Sequence, residues 1–160
     1  MINIGIDPGA KGAIAILDEQ SLIEVFDLPI AADGKTLDCA SILARLQRYS
    51  LGGKVILEKV AAMPGQGVTS MFNFGKNVGQ LIGILKISKI PYEEIPPTVW
   101  RKKVLVGCPK NSKDPKAVVR GFVERRFPDA NIYGVKGGFK DGRADALCLA
   151  LYGFKTGEKE

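Results

Sequence analysis

The chain has 160 residues, enough for one domain with a buried core, and its 46% apolar content argues against disorder. No apolar run reaches the roughly 20 residues of a membrane span, and the N-terminus lacks a signal-peptide pattern. Three cysteines without metal-type spacing (Cys39, Cys108 and Cys148) indicate a reduced, cytoplasmic protein. Histidine is absent, which excludes His-based triads, His–zinc sites and His general bases.

The net charge of +6 is concentrated in one part of the chain. Residues 101–143 carry 12 Lys and Arg against 4 Asp and Glu, whereas the remainder carries 11 against 13. Such a basic segment can bind a polyanion such as nucleic acid, or it can be a solvated surface. Charge alone does not decide between the two.

The first half of the chain alternates short strands with helices. Three strands rich in Ile, Val and Leu are predicted at 2–7, 12–17 and 21–27, and they are expected to form an antiparallel meander. A helix is predicted at 36–50 and a buried strand at 54–59. Because a strand–helix–strand order favours parallel pairing, the strand at 54–59 is expected beside the first.

A helix predicted at 68–88 carries a stripe of three glycines. Gly75, Gly79 and Gly83 recur every four residues, and each costs roughly 1 kcal/mol relative to alanine inside a helix. Such a face lets another backbone approach closely. We place packing against the chain's own sheet somewhat above contact with a second subunit or nucleic acid.

The second half adds one strand, three helices and a glycine-rich loop. In chain order these are a strand at 91–95, helices at 96–105 and 115–127, a loop at 128–140 and a helix at 141–154. No repeat or internal boundary is visible. We therefore expect one domain over residues 1–155 and a frayed tail at 156–160.

Four carboxylates stand out against this pattern. Asp7 and Glu58 each end an apolar strand, and Asp141 and Asp145 lie four apart at the start of the last helix. A carboxylate in a buried setting is costly unless its charge is compensated, and a shared divalent cation is the simplest single explanation. The alternative is that Asp141 caps the helix and Asp145 is a first-turn acid, which leaves Asp7 and Glu58 unexplained.

The expected position of these acids suits metal-dependent phosphoryl chemistry. Parallel neighbouring strands would bring Asp7 and Glu58 to one sheet edge, where α/β proteins bind ligands. Oxygen-only ligation selects hard cations such as Mg²⁺ or Mn²⁺, and two such ions can clamp the attacking and leaving oxygens of a displacement. Asp7 is the best candidate to bridge them.

Three motifs in this order resemble one family. Ile4–Gly9, Val55–Glu58 and Asp141–Leu147 together are similar to the RuvC family of Holliday-junction resolvases, within the ribonuclease H-like superfamily. The short form without histidine looks most like the bacteriophage resolvases. The resemblance implies an α/β fold, with a mixed five-stranded sheet flanked by helices. It also implies a homodimer whose two active sites cut opposing strands of branched DNA with paired nicks.

The resemblance also implies site residues and cofactors. Metal-ligand and catalytic roles carry over to Asp7, Glu58 and Asp145, with Asp141 as the fourth candidate because the family's usual position holds Gly142. Two Mg²⁺ ions per site are expected, with Mn²⁺ able to substitute, and neither a nucleotide cofactor nor a membrane is implied. Candidate DNA-binding residues are Lys11, Arg101, Lys102, Lys103, Lys110, Lys113, Lys116, Lys140 and Arg143.

The sequence leaves two roles for aromatic residues open: a wedge at the junction and base stacking by Trp100. Bacterial relatives carry a wedge-like aromatic residue soon after the second acid, and here it is missing or replaced by Met63, Met71 or Phe72. Looser selectivity among branched substrates is therefore a hypothesis. Trp100 can stack on a base, but a single Trp among apolar neighbours is more often a core residue.

Other functions fit parts of the pattern. A flap nuclease or an RNA:DNA-hybrid nuclease of the same fold is not separable by sequence from a junction resolvase. An actin-like or sugar-kinase-like phosphotransferase would need a second Asp-Gly phosphate turn in a much longer chain. A catalytically inactive DNA-binding module is disfavoured by the four acids.

Overall fold

The computed structural model describes residues 1–9, 11–49, 52–61, 65, 67–110 and 112–157. The strands form one five-stranded sheet in the order β3-β2-β1-β4-β5. The strands are β1 (Ile2–Asp7), β2 (Ala13–Asp18), β3 (Ser21–Asp27), β4 (Lys54–Glu58) and β5 (Tyr92–Ile95). The helices are α1 (Cys39–Gln47), α2 (Val68–Ile87), α3 (Pro97–Val104), α4 (Pro115–Arg126) and α5 (Asp141–Gly157).

The sheet is mixed, which confirms the predicted pairing. β1, β2 and β3 form an antiparallel meander, and its second turn has positive φ at Glu19 (47°) and Gln20 (67°). This backbone matches the twist of a two-residue hairpin. β4 pairs parallel to β1, with Ile6 opposite Leu57, and β5 pairs parallel to β4. The carboxyl ends of β1 and β4 therefore meet at one edge.

Alternation along the strands divides the core into two layers. Ile4 and Leu57 pack on the side of α1 and α2, whereas Ile56 packs on the other side with α3, α4 and α5. Because side chains alternate with a period of two, Asp7 and Glu58 face opposite to Ile6 and Leu57. Both acids therefore project toward the layer that contains α5.

Two glycines set how closely α5 approaches the sheet. A Cβ at Gly5 of β1 would lie 1.9 Å from the carbonyl oxygen of Ala146, and one at Gly142 would lie 2.2 Å from the carbonyl oxygen of Lys11. A side chain at either position would push the helix outward. Neither glycine was assigned this role from the sequence, since the approach exists only in the folded chain.

The predicted packing of the glycine stripe against the chain's own sheet is wrong. A Cβ at Gly75, Gly79 or Gly83 would meet no atom of the described residues within 4 Å. α2 packs on the sheet through its opposite face, where Leu81 and Leu85 are buried. The glycine face points away from the rest of the described chain.

Some element boundaries differ from prediction for local reasons. α1 begins at Cys39 rather than residue 36, because the carboxylate of Asp38 caps it by accepting a hydrogen bond from Ser41 N at 3.1 Å. The loop at 128–140 contains an isolated bridge between Tyr133 and Phe139, and α5 continues to Gly157. Among the described residues, no helix combines the length and apolar character of a membrane span.

Candidate active site

Three of the four predicted acids converge at the sheet edge. Asp7 ends β1, Glu58 ends β4 and Asp145 lies one turn into α5. One carboxylate oxygen from each lies within 4.8 Å of the others. Within the described residues, these three form the acidic group that could hold a metal ion. Below, they are called the acidic triad.

Each carboxylate is oriented by a neighbouring element. Asp7 Oδ1 accepts a hydrogen bond from the backbone N–H of Gly9 at 2.9 Å, so the turn after β1 fixes its direction. Glu58 is 8% exposed, and its Oε1 accepts a hydrogen bond from Trp100 Nε1 at 3.2 Å. Asp145 is carried by α5, whose depth is set by Gly5 and Gly142.

Burial raises the pKa of all three carboxyl groups of the acidic triad, and repulsion by neighbouring carboxylates adds to the shifts of Asp7 and Asp145. Burial, with the nearby charges of Glu58 and Asp141, raises the pKa of Asp7 from 3.8 to about 6, although the hydrogen bond from Gly9 opposes the shift. Burial, followed by the charge of Asp7, raises the pKa of Asp145 from 3.8 to about 7. Burial also raises the pKa of Glu58. A cation between the three would relieve this repulsion.

Arg101 supplies the positive charge that reaches all three acids. Its guanidinium Nη2 lies 3.7 Å from Asp145 Oδ2 and lowers the pKa of Asp7, Glu58 and Asp145. The same guanidinium lies 5.0 Å from the ring centroid of Trp100. Its Nε is buried and has no hydrogen-bond partner among the described residues. Arg101 thus joins the acidic triad to the basic segment.

The acidic triad fits a hard divalent cation. Its donors are carboxylate oxygens, which suit Mg²⁺ and Mn²⁺ rather than zinc or copper. Glu58 is buried and Asp7 and Asp145 are half-buried, and the cost of keeping these three carboxylates together is one that metal binding offsets. The donor chemistry and the raised pKa values both point to this fit.

Asp141, the fourth predicted acid, lies outside the acidic triad. Lys116 Nζ donates to its Oδ2 at 2.6 Å, and this hydrogen bond holds the pKa of Asp141 below its usual value. Its charge nevertheless raises the pKa values of Asp7 and Asp145, so it lies near them. A side chain at Gly142 would collide with the Lys11 carbonyl, which explains why no acid stands there.

Apart from Arg101, the predicted DNA-binding residues fall into two groups. Several are already engaged within the protein: Lys116 with Asp141, Lys140 and Arg143 with Asp27, and Lys103 beside the ring of Tyr152. Arg143 is only 14% exposed and also donates to the carbonyl of Asn131, so it ties the 131–140 segment to β3. The remaining lysines are exposed: Lys11, Lys102, Lys110 and Lys113.

The candidates for base stacking and for the wedge differ in their exposure to solvent. Trp100 is fully buried and bonded to Glu58, so it cannot stack on a base and instead supports the acidic triad. Sequence reasoning placed Trp100 in the core but missed this bond, which depends on β4 and α3 being neighbours. Phe72 is 71% exposed on α2, Met71 is half-buried, and Met63 lies outside the described residues.

Comparison with solved structures identifies the architecture. A structure of Thermus thermophilus RuvC in complex with a Holliday junction substrate matches 95% of this chain and 91% of its own, with a TM-score of 0.65 and 16% identity. The chain has the RuvC fold. A second T. thermophilus RuvC structure matches 98% of this chain and 97% of its own (TM-score 0.60, 15% identity).

A viral protein shares the RuvC fold as well. The Fowlpox virus resolvase, in complex with substrate Holliday junction DNA, matches 96% of this chain and 99% of its own, with a TM-score of 0.55 and 22% identity. No sequence-family profile and no curated protein sequence matches the chain. The predicted ribonuclease H-like α/β fold is confirmed by these structures.

Proposed function

We propose that the chain is a metal-dependent endonuclease that cuts branched DNA and resolves four-way junctions. The observation that carries the proposal is the acidic triad, gathered from β1, β4 and α5 in a RuvC fold. Two of the similar structures contain a resolvase with Holliday junction DNA, which supports the choice of substrate. The nuclease domain is proposed to span residues 1–155.

The acidic triad is proposed to hold two Mg²⁺ ions, with Mn²⁺ able to substitute. Bound there, the ions would activate water and stabilise the departing oxyanion of a phosphodiester. Asp7, Glu58 and Asp145 would hold the ions, and Asp141 is the proposed fourth carboxylate. Arg101, whose partly exposed guanidinium lies 3.7 Å from Asp145, is proposed to donate to the scissile phosphate.

The basic segment is proposed to hold the DNA backbone. Its exposed members Lys102, Lys110 and Lys113 can contact phosphates directly, and Lys11 lies in the turn after Asp7. Each phosphate contact releases counterions, so affinity should fall steeply as salt rises. Lys116, Lys140 and Arg143 would first have to leave carboxylate partners, so they are weaker candidates.

The chain is proposed to work as a homodimer through the open face of α2. On that face, a Cβ at Gly75, Gly79 or Gly83 would meet none of the described residues within 4 Å, and Phe72 (71% exposed) and Ile87 (85% exposed) flank it. Small residues let two helices approach closely, and exposed large apolar side chains are costly in a monomer. Two acidic triads in one dimer could then cut opposing strands as paired nicks.

A panel of labelled DNA substrates tests this function. The panel holds a four-way junction, a fork, a flap, an RNA:DNA hybrid and a linear duplex, each with Mg²⁺, Mn²⁺ or a chelator. The proposal predicts metal-dependent, symmetric paired nicks in the junction. Equal cutting of flaps would make the protein a general branch nuclease, and cutting of the hybrid alone would overturn the proposed DNA substrate.

A further inference from the structure

A cavity beside the acidic triad is not used by the proposed metal chemistry. It has a volume of about 510 Å³ and lies between the C-terminal end of α3, the turn that follows it and the start of α4. Leu105, Pro109 and Val118 form apolar parts of its wall. Its size falls within the range of roughly 300–1,000 Å³ that is usual for ligand sites.

The cavity combines an apolar wall with a cationic rim. Arg101, Lys102 and Lys110 line it, and none of its described lining residues is acidic. A nucleotide has the matching chemistry, because its base is a flat, largely apolar ring and its phosphate is an anion. A purely lipophilic ligand would leave Lys102 and Lys110 without a counter-charge among the described lining residues.

Arg101 places this cavity next to the reacting phosphate. The same side chain lines the cavity and lies 3.7 Å from Asp145 of the acidic triad. The side chain of Arg101 is 42% exposed, so its guanidinium can donate a hydrogen bond to a ligand in the cavity. A nucleotide whose phosphate accepts from Arg101 would therefore sit immediately beside the bond to be cut.

We propose that this cavity receives one unstacked nucleotide of the DNA strand, adjacent to the scissile phosphate. The inference rests on the proposed nuclease function and concerns how that nuclease selects its substrate. Taking a base out of the stack costs least where it has already lost a neighbour, which is the situation at a branch point. The cavity thus selects branched DNA because its wall captures the base that the branch exposes.

Fluorescence of 2-aminopurine tests the capture. The base is placed at each of the positions flanking the nick in a four-way junction, and the junction is bound by the cleavage-deficient variant Asp7→Asn. Unstacking should raise the fluorescence at least about threefold at one flanking position. Unchanged fluorescence at every position in a fully bound junction would overturn the proposal, whatever the behaviour of other variants.

Substitutions that fill the cavity are compared with the same kind of substitution at an exposed position. Val118→Phe and Cys108→Phe each place a ring in the cavity, whereas Ile23→Phe adds the same ring at a 43% exposed position on β3. In the Asp7→Asn background, either filled variant should abolish the fluorescence rise. In the otherwise wild-type protein, it should slow junction cleavage about tenfold, and Ile23→Phe should do neither.

The outcomes separate this inference from the proposed function. A wild-type protein that never cuts a junction would contradict the nuclease proposal itself. Junction cleavage without any fluorescence rise would contradict the cavity alone. A rise that persists in both filled variants, with circular dichroism showing them folded, would place the captured base elsewhere and overturn the assignment.

Discussion

Trp100 and Glu58 form the contact on which the geometry of the acidic triad depends most directly. The indole N–H donates to a carboxylate that is only 8% exposed, and Trp100 itself is fully buried. A hydrogen bond to the charged form partly offsets the burial that raises the pKa of Glu58. The bond also restrains the direction of the Glu58 carboxylate by holding its Oε1.

Replacing Trp100→Phe should weaken metal binding. The change keeps most of the apolar volume but removes the donor, so Glu58 should be less well oriented and its pKa should rise further. Partners that orient metal ligands typically contribute 10–100-fold in affinity, and we expect about tenfold here. Calorimetric Mn²⁺ titration measures it, with Tyr133→Phe, which loses a hydrogen bond to Glu124 away from the acidic triad, as the control.

Stability should depend on pH in opposite ways with and without metal. The pKa values of Asp7 (about 6) and Asp145 (about 7) lie above the usual 3.8, so the folded state binds protons more tightly than the unfolded state. That contribution is complete below about pH 4 and is lost as pH rises through 6 to 7. In a chelator, the Tm should therefore fall between pH 5 and pH 8.

Calorimetry at both pH values, with chelator or Mg²⁺, checks this prediction. Mg²⁺ should raise the Tm at pH 8 far more than at pH 5, because only deprotonated carboxylates bind it. Asp7→Asn should flatten the pH dependence in chelator. A Tm that rises with pH in chelator would show that the carboxylates of the acidic triad do not carry raised pKa values.

Among the secondary-structure elements, α5 and α2 use glycine in contrasting ways. Gly5 allows α5 to lie against β1, since an added Cβ would lie 1.9 Å from the Ala146 oxygen. A Cβ at Gly79 of α2 would meet none of the described residues within 4 Å. The sequence shows both as glycines in regular elements. Only the packing of the folded chain distinguishes a glycine such as Gly5, which lets a helix approach, from one such as Gly79, which lies on an uncovered helix face.

Gly5→Ala and Gly79→Ala should shift stability in opposite directions. Gly5→Ala forces α5 off the sheet and should destabilise the fold by about 2–3 kcal/mol, with loss of metal affinity because Asp145 moves. Gly79→Ala removes a helix-interior glycine without a clash and should stabilise the monomer by up to about 1 kcal/mol. Urea unfolding at low protein concentration measures both, and equal effects would contradict the packing described.

Most of the sheet could be predicted from the order and apolar character of its strands. Apolar strands bounded by turn residues located β1 to β4, and the strand–helix–strand order correctly predicted the β1–β4 pairing that joins Asp7 to Glu58. The predicted packing of the glycine stripe was wrong because a helical period identifies a face but not what covers it. The bond between Trp100 and Glu58 escaped prediction because it joins residues 42 apart.

For the whole molecule, paired incision requires two acidic triads held in one assembly. The open face of α2 is where we expect the second copy, with Phe72 and Ile87 exposed at its flanks. The overall charge of +6, with its surplus in residues 101–143, favours DNA as the common partner of both copies. The contact between copies and the DNA contacts would then lie on different elements.

Gly79→Arg should separate the two copies without touching the acidic triad. A charged side chain on the open face would be buried without a partner in a dimer, which is strongly unfavourable. Sedimentation at micromolar concentration should show a monomer, and junctions should receive single nicks instead of paired ones. Gly121→Arg on α4 is a control of equal charge, and a wild-type monomer at that concentration would contradict the proposed dimer.

Metal-dependent cutting of branched DNA by the acidic triad is tested with a four-way junction and three forms of the protein. Wild-type protein, Asp7→Asn and the exposed-acid control Asp129→Asn are each incubated with a labelled four-way junction and Mg²⁺, and both binding and nicking are recorded. We predict metal-dependent nicking by the wild type and Asp129→Asn, and undiminished binding without nicking by Asp7→Asn. Nicking retained in Asp7→Asn would contradict the account.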